Sequence, residues 1–296
     1  MAGLVPRHLP VDGLDLLFQA LDRAGYEIWG PTVGAGAVVV DRIGEATALP
    51  RGRRSVQEGG RYRLQPTGDD RVFGCVHGAD GFKRVLHPPD CRLWTCSRDA
   101  AGELAFEAED AAPARPLALL GVRGCDLAAI RRLDDVFARA AAPDPVYEAR
   151  RAGLFVVAVE CGEPGGTCFC ASMGTGPQVE TGFDWRLSEL DDEDGHRFIV
   201  AAGSPLGEEL LATLDLAGAD AADEAARRRQ GGAATMGREL ATEGLREALL
   251  ARRESGYFER VAERCLGCAN CTMVCPTCFC TTVEDRSDLT GTSAER

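Results

Sequence analysis

Four cysteines fall within eleven residues, Cys265-x2-Cys268-x2-Cys271-x3-Cys275, and Pro276 follows at once. Thiolate is a soft ligand, suited to iron in sulfur clusters and to zinc. Three cysteines at this spacing form a tight turn whose sulfurs converge on one iron–sulfur cube. The fourth points away and, in two-cluster ferredoxins, serves the other cube. Gly267 and Ala269 are small, which lets the backbone approach the cluster. The spacing therefore points to a 4Fe-4S cluster at Cys265, Cys268 and Cys271, with Cys275 or a neighbour substituting as the fourth ligand where no second run is present. The alternative is a zinc site or a set of unligated thiols. A two-cluster module needs a second run of the same form, and none occurs in the sequence. The expectation is a fragment or a shortened protein, with an incomplete C-terminal module.

Nine further cysteines lie outside this run. Thr167-Cys168-Phe169-Cys170 recurs as Thr277-Cys278-Phe279-Cys280, two similar sulfur-presenting turns or a coincidence. Cys125 starts an expected helix after a strand, Cys161 ends another strand, and Cys168 and Cys170 sit in a Gly-rich loop. The ends of adjacent parallel strands are where such sheets collect ligands. Cys125, Cys161, Cys168 and Cys170 are thus candidates for a further cluster. The alternative is that Cys125 and Cys161 are small buried hydrophobes. A rival grouping joins Cys168 and Cys170 to Cys278 and Cys280. Cys75, Cys91 and Cys96 have no partner spacing and read as structural.

The elements that position these residues follow from periodicity. Leu14, Leu17, Phe18 and Leu21 predict a helix over 12–24. Strands are expected at 37–40, 117–120, 154–159 and 197–201, and a hairpin from 92–96 and 103–106. A helix over 127–137 is expected with Asp126 as its N-cap, and a short helix near 144–152. Ser204-Pro205 opens another helix. The stretch 44–70 reads as loop, 161–182 as a Cys- and Gly-rich loop, and Glu189–Asp194 as a solvated acidic loop. Gly231-Gly232 reads as a break, and 237–263 as a helix leading into the cysteine run. The strand–helix–strand order predicts a partly parallel sheet. The expected fold is an α/β or α+β domain over 1–230 with a mixed sheet, then a helical ferredoxin-like module over 231–296.

Composition narrows the function classes. The net charge is −13, from 33 basic and 46 acidic residues, so a nucleic-acid partner is not expected. No window reaches the roughly 18 apolar residues of a spanning helix, and the N-terminus lacks a signal peptide's pattern. Arg53-Arg54 has no apolar run behind it to make an export signal. A cytoplasmic protein with reduced thiols is expected, in which clustered cysteines mean metal or redox chemistry. Gly34-Ala-Gly36 lacks the context of a dinucleotide fingerprint, and Gly174-Thr-Gly176-Pro lacks the lysine of a phosphate loop. His8, His77, His87 and His196 are scattered without metal spacing. No hydrolytic or paired-carboxylate arrangement stands out.

Three stretches carry a family resemblance: GVRGCDLAAIRRLDDVF at 121–137, VVAVECGEPGGTCFCASMGTGP at 156–177 and RCLGCANCTMVCPTCFC at 264–280. With them the sequence resembles the iron–sulfur beta subunit of sulfhydrogenases and related sulfur-reducing hydrogenases. It is similar too to the related iron–sulfur component of anaerobic sulfite reductases. The family's usual Pro before the Cys-Asp pair is Gly124 here. The resemblance implies a cytosolic electron-transfer subunit, placed between a flavin- and NAD(P)H-binding subunit, on one side, and a catalytic hydrogenase or sulfur- or sulfite-reducing subunit on the other. It also implies a C-terminal 4Fe-4S dicluster module. Such a chain is a component of an oxidoreductase rather than a stand-alone catalyst. Two other readings stay open: a zinc-stabilised scaffold without a redox role, and a flavin-binding oxidoreductase in its own right.

Overall fold

The computed structural model describes residues 5–78, 80–110 and 112–296, with backbone alone at 232 and 233. The first four residues, part of the stretch read against a signal peptide, lie outside it. The elements in chain order are β1 (Arg7–Pro10), α1 (Leu14–Arg23), β2 (Glu27–Gly34), β3 (Ala37–Arg42), β4 (Arg53–Glu58), β5 (Arg61–Pro66), α2 (Lys83–Leu86), β6 (Trp94–Arg98), β7 (Leu104–Ala108) and β8 (Leu117–Val122). There follow α3 (Gly124–Leu133), α4 (Pro145–Arg151), β9 (Phe155–Val159), β10 (Trp185–Asp192), β11 (Gly195–Ala202), α5 (Pro205–Ala212) and α6 (Ala221–Ala233). The C-terminal part holds α7 (Leu245–Ala251), α8 (Tyr257–Ala262), α9 (Asn270–Val274), β12 (Arg286–Ser287) and β13 (Ser293–Glu295).

Seven strands form the main sheet, in the order β1-β11-β10-β9-β8-β2-β3. The inner four, β10, β9, β8 and β2, run parallel. The antiparallel strands flank them. β8 (LALLGV) and β9 (FVVAV) are buried at every position, as expected for parallel strands covered on both faces. Ala118, Leu120, Phe155 and Val157 pack with α1 and α5 on one face. Leu117, Leu119, Val156 and Ala158 pack with α2, α3 and α4 on the other. The α/β class with a mixed sheet is thus as expected.

Several local expectations are corrected. The stretch 44–70 is not all loop: β4 and β5 pair as a hairpin with Gly60 at φ +76° in its turn. Its arginines and glutamines conceal an alternation in which Ser55, Gln57, Tyr62 and Leu64 are half-buried and the residues between them exposed. Glu189 to Asp192 are not a solvated loop but the end of β10, where Glu189 is buried. β1 and β2 carry no period that announces them. Asp126 is the third residue of α3, not its cap; Arg123 is the cap residue, and its N–H donates to Asp126 Oδ2 at 2.9 Å. Helix α6 continues through Gly231 and Gly232 instead of breaking there. Residues 237–263 form two short helices, not one. The tail adds β13 to β6 in a small sheet ordered β12-β13-β6-β7.

Candidate iron–sulfur sites

β8 carries a bulge between Leu120 and Val122. Gly121 at φ +85° makes it possible, and a Cβ there would stand 2.8 Å from Pro31. Bulges re-aim the side chains that follow them. Arg123 turns inward, 5% exposed, and its Nη2 donates to the carbonyls of Phe73 at 2.9 Å and Cys75 at 2.6 Å. Cys125 then stands in the first turn of α3. One strand over, β9 delivers Cys161, whose N–H donates to Pro177 O at 3.1 Å.

The loop after β9 is fixed by its own backbone. Cys168 N donates to Gly165 O at 3.0 Å, and Thr175 N to Cys170 O at 3.0 Å. A strap from 235 to 240 crosses it: Arg238 N donates to Cys168 O at 2.9 Å, Leu240 N to Ser172 Oγ at 3.0 Å, and Met236 Sδ lies 3.6 Å from Cys170 Sγ. Gly237 lets the strap touch the loop, because a Cβ there would enter the backbone of Gly165 and Gly166, and a Cβ on Gly166 would meet the Gln57 carbonyl of β4. Gly124 is similarly close, its Cβ position 2.5 Å from Thr175 O.

These segments close a cavity of about 520 Å³ at the carboxyl ends of β8 and β9, lined by Cys125, Cys161, Cys168 and Cys170 together with Arg123 and His77. The β4–β5 hairpin, missed in the sequence, forms its outer wall through Gln57 and Tyr62. Tyr62 is anchored there, its hydroxyl donating to Val76 O at 3.2 Å. Burial pushes the thiols of Cys125, Cys168 and Cys170 up. Cys125 has open surface towards the cavity, yet protein crowds it on its other sides. Burial likewise pushes the Cys75 thiol up, to about 11, behind this wall.

The C-terminal run lies elsewhere. Cys265, Cys268 and Cys271 are exposed, and Cys275 is half-buried. Gly267 at φ +66° and Ala269 at φ +58° give the left-handed turns that curl the chain between them. Cys271 and Cys275 lie at the start and just past the end of α9, and Cys275 N donates to Cys271 O at 3.0 Å. Lys83 Nζ caps this segment, donating to Thr272 O and Cys275 O at 2.9 Å each, and closely to Cys278 O. Phe279 meets Phe137 edge-on, with centroids 6.0 Å apart. Cys278 and Cys280 line a second cavity, of about 860 Å³, with Cys91 and Lys83. The two Cys-Phe-Cys turns therefore face different cavities. The Thr277 hydroxyl, 3.1 Å from Cys275 Sγ, pulls that thiol down.

Among the described residues no three His, Cys, Asp or Glu side chains converge tightly enough for a single metal ion. A cluster places its thiolates on separate iron corners, further apart than the ligands of one ion. The donor set, thiols alone with small residues between, suits that group.

Residues 264–296 match the family described as a 4Fe-4S dicluster domain. The chain is also similar to sulfhydrogenase 2 subunit beta of Pyrococcus furiosus, 38% identical over 171 residues. That match covers 56% of this chain and 49% of the relative, so the chain spans about half the length of the curated protein it matches. No helix among the described residues is long and apolar enough to cross a membrane. The comparisons thus give a 4Fe-4S dicluster segment at the C-terminal end and a likeness to a sulfhydrogenase beta subunit over about half of the chain.

Proposed function

We propose that the chain relays electrons between a flavin- and NAD(P)H-binding subunit, on one side, and a catalytic subunit of hydrogenase or sulfur- or sulfite-reducing type on the other. A 4Fe-4S cluster held by Cys265, Cys268, Cys271 and Cys275 supplies one-electron chemistry when bound. The observation that carries this reading is the cysteine run itself, inside the matched segment and presented at the surface within reach of a second protein. On this reading residues 1–230 are a carrier domain and 231–296 the iron–sulfur module, working in the cytoplasm. Lys83 fixes the module to the carrier through three carbonyls and places a positive charge beside the ligand segment. Hydrogen bonds, burial and net charge of this kind set cluster potentials. The excess of acidic residues favours a partner with a basic docking face.

The test compares the anaerobically purified chain with C265S/C268S/C271S. The wild type should carry about four more irons and four more acid-labile sulfides per chain than the variant. It should also show a reduced S = ½ EPR signal that the variant lacks. Equal iron in the two proteins, or zinc in place of iron in the wild type, would overturn the reading.

A further inference from the structure

We propose that Cys125, Cys161, Cys168 and Cys170 ligate a second 4Fe-4S cluster, in the cavity at the carboxyl ends of β8 and β9. This site stands independently of the C-terminal run. Four thiols from three separate segments line one cavity, whose volume falls in the roughly 300–1,000 Å³ range of cofactor sites. Three of the positions are imposed by the fold: Cys125 by the bulged end of β8, Cys161 by the end of β9, and Cys168 by its bond to the 235–240 strap. At the fourth, Cys170, a Cβ on residue 176 would lie 3.2 Å from the sulfur. Glycine there keeps the thiol's approach clear.

The polar groups in the wall point the same way. Arg123 is buried, yet its Nη1 has no hydrogen-bond partner. Both ring nitrogens of His77 are also without one, although Asp126 Oδ2 lies 3.5 Å from Nε2. Buried donors left unpaired are costly, and more so when charged. A cluster bound by four thiolates carries net negative charge and presents sulfide acceptors. Arg123 answers the charge, and its free Nη1 and the His77 ring can donate to sulfur. A single zinc ion would need ligands closer together than any three in the described residues.

The site also has a place in the molecule. His77 lines this cavity, and Lys83, six residues on, holds the C-terminal ligand segment. Their Cα atoms are thus at most about 22 Å apart. A cluster in the cavity and one at the C-terminal run would be neighbours in a single relay.

The experiment uses the full chain carrying C265S/C268S/C271S, reconstituted anaerobically with ferrous iron and sulfide. It should retain about four irons and four sulfides per chain and give an S = ½ signal after dithionite. Adding C168S/C170S, at half-buried loop positions, should reduce iron to below a tenth of that while far-UV circular dichroism is kept. A triple variant that binds no iron, that binds iron without matching sulfide, or that keeps its cluster after C168S/C170S overturns the proposal. Because three of the four C-terminal ligands are replaced throughout, failure here leaves the C-terminal reading untouched.

Discussion

Glu160 sits beside Cys161 at the end of β9, buried, and accepts from Arg227 Nη1 at 2.6 Å and from Ser188 Oγ at 2.7 Å. Arg227 comes from α6 and is itself buried, so this pair ties the helix to the sheet next to the cysteine cavity. Removing one partner strands the other charge, a loss of about 3–5 kcal/mol. R227A should lower unfolding stability by that amount in urea titration, whereas R227M/E160Q, which leaves no bare carboxylate although Arg186 loses its main counter-charge, should lose less. A second buried carboxylate behaves differently. Glu189 accepts from Val72 N at 2.6 Å and Phe73 N at 2.8 Å, and meets His196 Nε2 at 2.8 Å. The bond to Glu189 holds the His196 pKa above its ordinary value against the opposing effect of burial; Asp191 adds to the rise and Arg51 reduces it. A raised histidine contributes its stability in full below the unfolded value of about 6.5 and loses it as pH climbs through the folded value. Stability should therefore fall as pH rises above about 6.5 and through the raised folded value. In H196Q that decline should vanish; an unchanged slope would remove His196 as its source.

At the scale of elements, the short helix α2 does more than its four residues suggest. Its Lys83 is the chain's one lysine and the donor to three carbonyls around α9. K83M keeps the stem and removes the donors. Amide exchange at 272–280 should speed at least tenfold, while the main thermal transition stays within about 0.5 kcal/mol, as for a surface change. Protection unchanged at 272–280 would show that Phe279 on Phe137 suffices. The elements differ in how plainly the sequence declared them. β8 and β9 are unbroken apolar runs, and Ser204-Pro205 and Asp144-Pro145 mark helix starts, so these were legible. β10 was hidden because Glu189 is acidic yet buried on backbone donors, a tertiary fact with no local sign. The β4–β5 hairpin was hidden because its wall faces a cavity and not the core, so its half-buried positions are only weakly apolar. The cysteines were legible as a set; that Arg123 and His77 join four of them was not, since His77 lies 48 residues before Cys125, and Cys161 to Cys170 lie 36 to 45 residues after it.

Across the whole molecule, burial is uneven. The three apolar cores end with Ala226; no residue after it belongs to any of them among the described residues. Leu249, Leu250, Tyr257, Phe258 and Leu266 are exposed. The segment from 245 to 283 thus has little apolar burial to offset its ordering entropy, and its order must come from bound metal, from Lys83 or from a partner. Metal affinity then acts as local folding energy. The residues up to Ala226, which hold the apolar cores, should keep the usual roughly 5–15 kcal/mol without that help. In C265S/C268S/C271S, exchange across 257–283 should rise to nearly that of an unprotected chain, and proteolysis should concentrate there. The carrier's thermal transition should keep its midpoint. Full iron removal by a chelator should go further: the 161–177 loop would lose its metal too, and the midpoint should fall. If the triple variant instead melts early throughout, the two parts fold as one cooperative unit, and the C-terminal cysteines stabilise the whole chain and not their own segment alone.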